Sequence, residues 1–231
     1  MTIFQVKSVS VNRAELAIVN EASLMVEHGS ISVLLGANGA GKTTLLEGLS
    51  GVIAVAGGSI EIEGKPLQRS RPGMRARAGL GHVEQGRTVF RQLTTEENLL
   101  VGLAPQSDVG EAYELFPELV QRRAVRAGLL SGGEQQMLVI ARALLARPKV
   151  LMIDEMSAGL APVIVSRLMQ TIRQLADKGL AVLLVEQFAA LGLSVGDRAY
   201  VMRRGSIVYD GDCATLWRAP DRLHEFYLGS A

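Results

Sequence analysis

Three glycines, a lysine and two hydroxyl residues stand close together in Gly36-Ala-Asn-Gly-Ala-Gly41-Lys42-Thr43-Thr44. Glycines at this spacing let the backbone curl so that successive N–H groups, backed by the positive end of a following helix, point at one anion. Gly36, Asn38, Gly39, Ala40 and Gly41 would form the cradle, with Thr44 at its inner end. Lys42 would reach the β and γ phosphates of a nucleoside triphosphate, and the Thr43 hydroxyl would hold Mg²⁺. The apolar runs Ile31-Ser-Val-Leu-Leu35 and Leu45-Leu-Glu-Gly-Leu49 flank the loop, so the order is strand, phosphate loop, helix.

A phosphate loop alone fits a kinase, a GTPase, a helicase or a transporter motor. Leu130-Ser131-Gly132-Gly133-Glu134-Gln135-Gln136 narrows the choice, because it leads into a helix with apolar residues at Met137, Leu138, Ile140, Ala141, Leu144 and Leu145. A serine and two glycines at a helix N-terminus make a second cradle for anionic oxygens. The same residues are also a sound helix cap, with Ser131 as N-cap. Asp154 and Glu155 follow the apolar run Val150-Leu-Met-Ile153. They therefore sit at the carboxyl end of a buried strand, where open α/β sheets place ligands. Two adjacent carboxylates beside a magnesium triphosphate suit phosphoryl transfer, in which catalysis is mostly positioning and charge stabilisation.

These motifs, in this order, resemble the ABC ATPases, whose signature reads Leu-Ser-Gly-Gly-x-Gln. The resemblance implies ATP and Mg²⁺ as ligands. It assigns Asp154 to the metal shell, Glu155 as the general base that polarises the attacking water, and Gln85 to the loop that touches metal or water and joins two subdomains. Phe90-Arg-Gln-Leu93-Thr-Thr-Glu-Glu-Asn98-Leu99, Glu114-Leu-Phe116-Pro-Glu-Leu119, Val185-Glu-Gln187 and the ending Tyr227-Leu-Gly229 carry the likeness further. They are similar to the ATPases of branched-chain amino-acid importers, the LivF type. In that subfamily the switch position, usually histidine, is commonly glutamine, and Gln187 fills it. Glutamine can donate to a γ-phosphate but cannot carry a proton.

The resemblance also implies that the signature of one subunit faces the phosphate loop of another, so two nucleotides lie between two chains. Implied partners are two membrane permease subunits, a second ABC ATPase in a homo- or heterodimer and, indirectly, a solute-binding protein. Several positions depart from the pattern. Arg13 stands where an aromatic ring usually stacks on adenine, and its planar guanidinium could lie on the base or simply be solvated. Glu84 replaces a proline beside Gln85, Met156 replaces the proline after the catalytic glutamate, and Ala161 stands where many of these ATPases carry an aspartate.

The elements that must position these groups are legible in outline. Val150–Ile153 and Leu180–Val185 are continuous apolar runs, as expected of strands buried on both faces of a mainly parallel sheet. A helical pattern from Val163 to about Ala176 lies between them. The fold class expected is α/β, a P-loop NTPase of the ABC type, with an antiparallel β subdomain and a small helical subdomain at about 86–145, all within a single domain over 1–231. Tyr200–Tyr209 reads as two strands about Gly205, followed by two closing helices.

The chain has 231 residues, with 24 basic against 23 acidic side chains, a net charge of +1. That balance offers no electrostatic support for a nucleic-acid partner. Cys213 is the one cysteine and cannot form an internal disulfide. With no secretory-type start and no apolar stretch long enough to span a bilayer, the expected location is cytoplasmic, peripheral on the inner face of the cell membrane.

Overall fold

The computed structural model describes residues 1–103 and 108–228. Part of the 86–145 segment, 104–107, and Gly229 of the terminal resemblance lie outside the described residues.

Two sheets organise the molecule. The first is antiparallel, formed by β1 (Thr2–Arg13), β2 (Leu16–Glu27), β4 (Val55–Ile62) and β5 (Lys65–Pro66) in the order β2-β1-β4-β5. The second comprises β3 (Ile31–Leu35), β6 (Leu80–Val83), β7 (Val150–Asp154), β8 (Ala181–Glu186), β9 (Arg198–Arg203) and β10 (Ser206–Asp212), ordered β10-β9-β3-β8-β7-β6. All its neighbours are parallel except β10, which turns back on β9.

The apolar runs of β3, β7 and β8 are continuous because each strand feeds two cores. Val33, Leu35, Leu151, Ile153, Val182 and Leu184 point into one cluster. Leu34, Val150, Met152, Leu183 and Val185 point into the other. Alternation along the pleat divides the run between two faces, so no polar face remains to be seen in the sequence.

The helices are α1 (Lys42–Ser50), α2 (Pro72–Arg77), α3 (Thr95–Leu100), α4 (Gly110–Leu115), α5 (Gly132–Leu145), α6 (Pro162–Asp177), α7 (Ala189–Val195), α8 (Cys213–Trp217) and α9 (Pro220–Leu228). Thus α3, α4, α5 and two short 3₁₀ turns occupy the stretch between β6 and β7. Buried Asn98 anchors the start of that stretch: its side-chain amide accepts from the Phe90 N–H at 2.8 Å and donates to the Phe90 and Thr94 carbonyls at 3.0 and 2.9 Å. Helix α6 extends one residue beyond the expected helical pattern at each end, with Pro162 at its first turn, where the missing N–H costs nothing.

The far end of α1, the helix that follows the phosphate loop, is closed by a buried cation. Arg75 is 2% exposed and donates to the carbonyls of Gly48 and Leu49 at 2.7 and 2.6 Å. It also donates to those of Gln68 and Ser70 at 3.0 and 2.9 Å. No carboxylate pairs with it among the described residues. The C-terminal carbonyls of α1, the negative end of its dipole, take that role. Arg75→Met should cost about 3 kcal/mol and lower Tm by roughly 8 °C, measured by differential scanning calorimetry. A Tm within a degree of wild type would show that the carbonyl cage contributes nothing.

Candidate nucleotide site

The phosphate loop turns from β3 into α1 with the backbone its glycines permit. Gly41, the N-cap of α1, has φ 105°, in the region where a side chain is strained. Gly36 is pressed against β9, and a Cβ there would meet the Met202 carbonyl oxygen at 2.4 Å.

Lys42, 4% exposed, does not extend into solvent. Its ammonium donates to the carbonyls of Gly36 and Ala37 at 2.8 and 3.2 Å and pairs with a Glu155 carboxylate oxygen at 3.2 Å. The three donors of an ammonium are thereby all taken. Gln85 donates through Nε2 to the other Glu155 oxygen at 2.8 Å. Glu155 itself has φ 44°, a left-handed conformation that costs a non-glycine residue on the order of 1–3 kcal/mol. Its N–H is fastened to the Val185 carbonyl at 3.0 Å, which ties the strained turn to the adjacent strand. The structure therefore joins Lys42, Gln85 and Glu155 in one chain of contacts.

Asp154 is 1% exposed and neither carboxylate oxygen has a hydrogen-bond partner of normal geometry among the described residues. Burial pushes its pKa up to about 6, tempered by the nearby Thr43 hydroxyl and raised again by Glu155. Two orphaned, buried acceptor oxygens beside a threonine hydroxyl fit a hard cation, which Mg²⁺ is. Asp154 and Thr43 would hold that ion, with Gln85 within reach of the same cluster. Mg²⁺ takes only one or two carboxylates and completes its shell with water and substrate phosphates, so a single buried aspartate suffices.

A cavity of about 540 Å³ opens over the loop, lined by Arg13, Ile18, Asn38, Gly39, Gly41, Lys42, Thr43, Thr44, Gln85 and Glu155. Arg13 is at its rim and is not merely solvated. Its Nε donates to the Thr44 hydroxyl at 3.1 Å, and its guanidinium pairs with Glu47, one turn further along α1. Glu47 and Ile18 were not singled out by the sequence motifs. Glu47 does lie on the face of α1 that carries Thr44, but only strand pairing shows that Arg13 meets it.

Ser131, Gly132 and Gly133 do not line this cavity. Ser131 is the N-cap of α5, its hydroxyl accepting from the Glu134 N–H at 3.2 Å while Glu134 accepts from the Ser131 N–H at 2.8 Å. The cap and the anion cradle are compatible, because a capping box leaves other first-turn N–H groups free. Arg87 links the regions: it donates to the Ala158 carbonyl, and its guanidinium lies against Gly132. Met156 is 1% exposed and packs into the core, and Ala161 is the N-cap of α6. Gln187, the candidate switch residue, directly follows β8, the strand beside β3, but does not border the cavity. Its neighbour Glu186 is buried, accepts from the Ser157 hydroxyl at 2.8 Å, and has its pKa pushed up to about 7, mainly by burial.

A glycine-rich loop between a central parallel strand and a helix, with an acid pair at the end of the next strand but one in the sheet, defines a P-loop nucleotide hydrolase. The family model for the ABC transporter matches residues 19–158. Over 227 residues the chain is 43% identical to the high-affinity branched-chain amino acid transport ATP-binding protein BraG of Pseudomonas aeruginosa, covering 96% of this chain and 97% of that one. It is 35% identical to the lipopolysaccharide export system ATP-binding protein LptB of Haemophilus influenzae, covering 99% and 98%. A solved ATP-binding cassette of an ABC transporter, MJ1267, superposes with a TM-score of 0.88 at 26% identity, covering 99% of this chain and all of that one. The chain belongs to the ABC transporter family, as an ATP-binding subunit that hydrolyses ATP.

Lys42→Ala should weaken ATP binding at least tenfold by isothermal calorimetry, since it removes the ammonium expected to reach the phosphates. Unchanged affinity would contradict that placement. Arg13→Ala should weaken binding by about fivefold and Arg13→Trp should restore it, the range of a cation–π or stacking contact. Equal affinities in all three proteins would remove Arg13 from the base site.

Proposed function

We propose that this ATPase drives uptake of branched-chain or related amino acids across the cytoplasmic membrane. It works from the inner face of that membrane, bound to two permease subunits, with a second ATPase chain as partner and a solute-binding protein feeding the permeases. The observation that carries the importer reading is the end-to-end likeness to BraG, a branched-chain amino acid transport ATP-binding protein. LptB, from a lipopolysaccharide export system, matches over an equal span, which makes lipid-linked export the second reading. No described helix is long and apolar enough to cross a membrane, so attachment falls to the permeases. An open cleft beside the Gln85 loop suits them: exposed Phe90 and Val101 line it with Thr88, Arg142 and Pro148, between the helical segment and the core.

The site's geometry supports a shared active centre. The signature residues lie outside the cavity that holds Lys42 and Glu155, which is in keeping with a phosphate loop completed by the signature of another subunit, as the family resemblance implies. ATP entering the cavity competes with Glu155 for Lys42. Phosphates draw the ammonium away and free the carboxylate to take a proton from the attacking water. Gln85, already bonded to Glu155, orients that carboxylate, and Gln187 contacts the γ-phosphate. Bound Mg²⁺ would neutralise charge on the β and γ phosphates. Binding energy closes the two subunits, and hydrolysis releases them.

Glu155→Gln should keep ATP affinity within about threefold while lowering kcat by at least a thousandfold, the scale of losing the group that activates the nucleophile. It should also shift the protein to a dimer in gel filtration with ATP. Near-normal phosphate release would remove Glu155 as the base. In cells lacking this chain, uptake of labelled leucine should fall and return on complementation. Intact leucine uptake with impaired lipid export would favour the second reading.

A further inference from the structure

The closing helix reaches the site through a residue that the phosphate chemistry does not use. Helix α9 is seated on the β9–β10 hairpin, where the Phe226 and Tyr209 rings lie 5.3 Å apart and Arg203 donates to the Glu225 carbonyl at 3.3 Å. That seating carries Tyr227 over the carboxyl edge of the central sheet. Its hydroxyl donates to the Gln187 carbonyl at 3.1 Å.

The register explains why a hydroxyl belongs there. Strands β3 and β8 pair through Leu35 and Glu186 as their last partners. Gly36 and Gln187 are the first residues beyond that ladder, where one chain turns into the phosphate loop and the other into the switch. The Tyr227 hydroxyl, by donating to the Gln187 carbonyl, anchors that backbone at the point where it leaves the ladder. The switch is held from below as well, since Glu186 is fixed by Ser157.

We propose that Tyr227 is a positioning residue for hydrolysis: it anchors the Gln187 backbone where it leaves β8, beside the start of the phosphate loop, and so sets how far Gln187 reaches toward a γ-phosphate. This rests on the reading of Gln187 as the γ-phosphate contact. Tyr227 does not line the nucleotide cavity, so it acts on the alignment of the switch and not on the affinity for ATP.

The test is a double-mutant cycle in the full chain: wild type, Tyr227→Phe, Gln187→Ala and the pair, each assayed for kcat, KM for ATP and Tm. Tyr227→Phe should lower kcat about tenfold, with KM within about twofold and Tm within about 2 °C, as expected when a bridging hydrogen bond is lost without loss of packing. Added to Gln187→Ala it should lower kcat no further, because the two residues act through one contact. Unchanged kcat in Tyr227→Phe, additive losses in the pair, or a joint shift of KM and Tm would each overturn the proposal. If wild type turns over ATP and Gln187→Ala is fully active, the reading of Gln187 fails first and the proposal with it.

Discussion

The central constraint is that β3, β8 and β7 are adjacent, parallel and buried on both faces, so all three end at one edge of the sheet. Gly36 leaves the first, Gln187 the second and Asp154 with Glu155 the third. Residues separated by more than a hundred positions in sequence thus become neighbours without any contact designed between their segments. The apolar alternation that divides each strand between two cores fixes the register, and a slip of one residue would turn core side chains to the wrong face. Packing therefore sets the alignment of the site before any polar contact contributes.

Within that frame the polar groups form a connected set poised for an anion. Lys42 is saturated by two carbonyls and Glu155, while Glu155 is held by both Lys42 and Gln85. A buried pair of this kind gains Coulomb energy but costs desolvation, and it reorganises readily when a more highly charged ligand arrives. Asp154 has the opposite character: its oxygens are buried and unsatisfied, a cost that a cation would remove. A magnesium triphosphate, as proposed for this site, would offer the ammonium new anionic partners and the aspartate a cation in one binding event.

Much of this was readable before the fold was known. The strand, phosphate loop and α1, the paired acids after β7, and the two strands about Gly205 all follow from local patterns: glycine spacing, apolar runs and a turn residue. What local pattern could not supply were partners chosen by tertiary packing. Arg13 was open between a base platform and a solvated side chain, and strand pairing brings it to Thr44 and Glu47. Ser131 was open between a cap and an anion cradle, and its geometry in α5 is that of a cap whose first-turn donors can still serve an anion. Arg87 and Tyr227 fell within stretches that carry the family likeness but were given no role of their own, because a single side chain bonded to a distant carbonyl has no periodicity.

The sequence by itself pointed to the chemistry: candidates for a triphosphate cradle, a metal-binding acid, a base and a signature, each encoded in a few contiguous residues whose backbone conformation is local. The tertiary structure alone decided how these parts engage. It placed Glu155 in a left-handed turn between Lys42 and Gln85, kept Ser131, Gly132 and Gly133 out of the cavity over the phosphate loop, and bonded the closing helix to the Gln187 carbonyl. Those outcomes depend on where strands stop and which faces pack. Such properties belong to the sum of many weak apolar contacts, and no short motif records them.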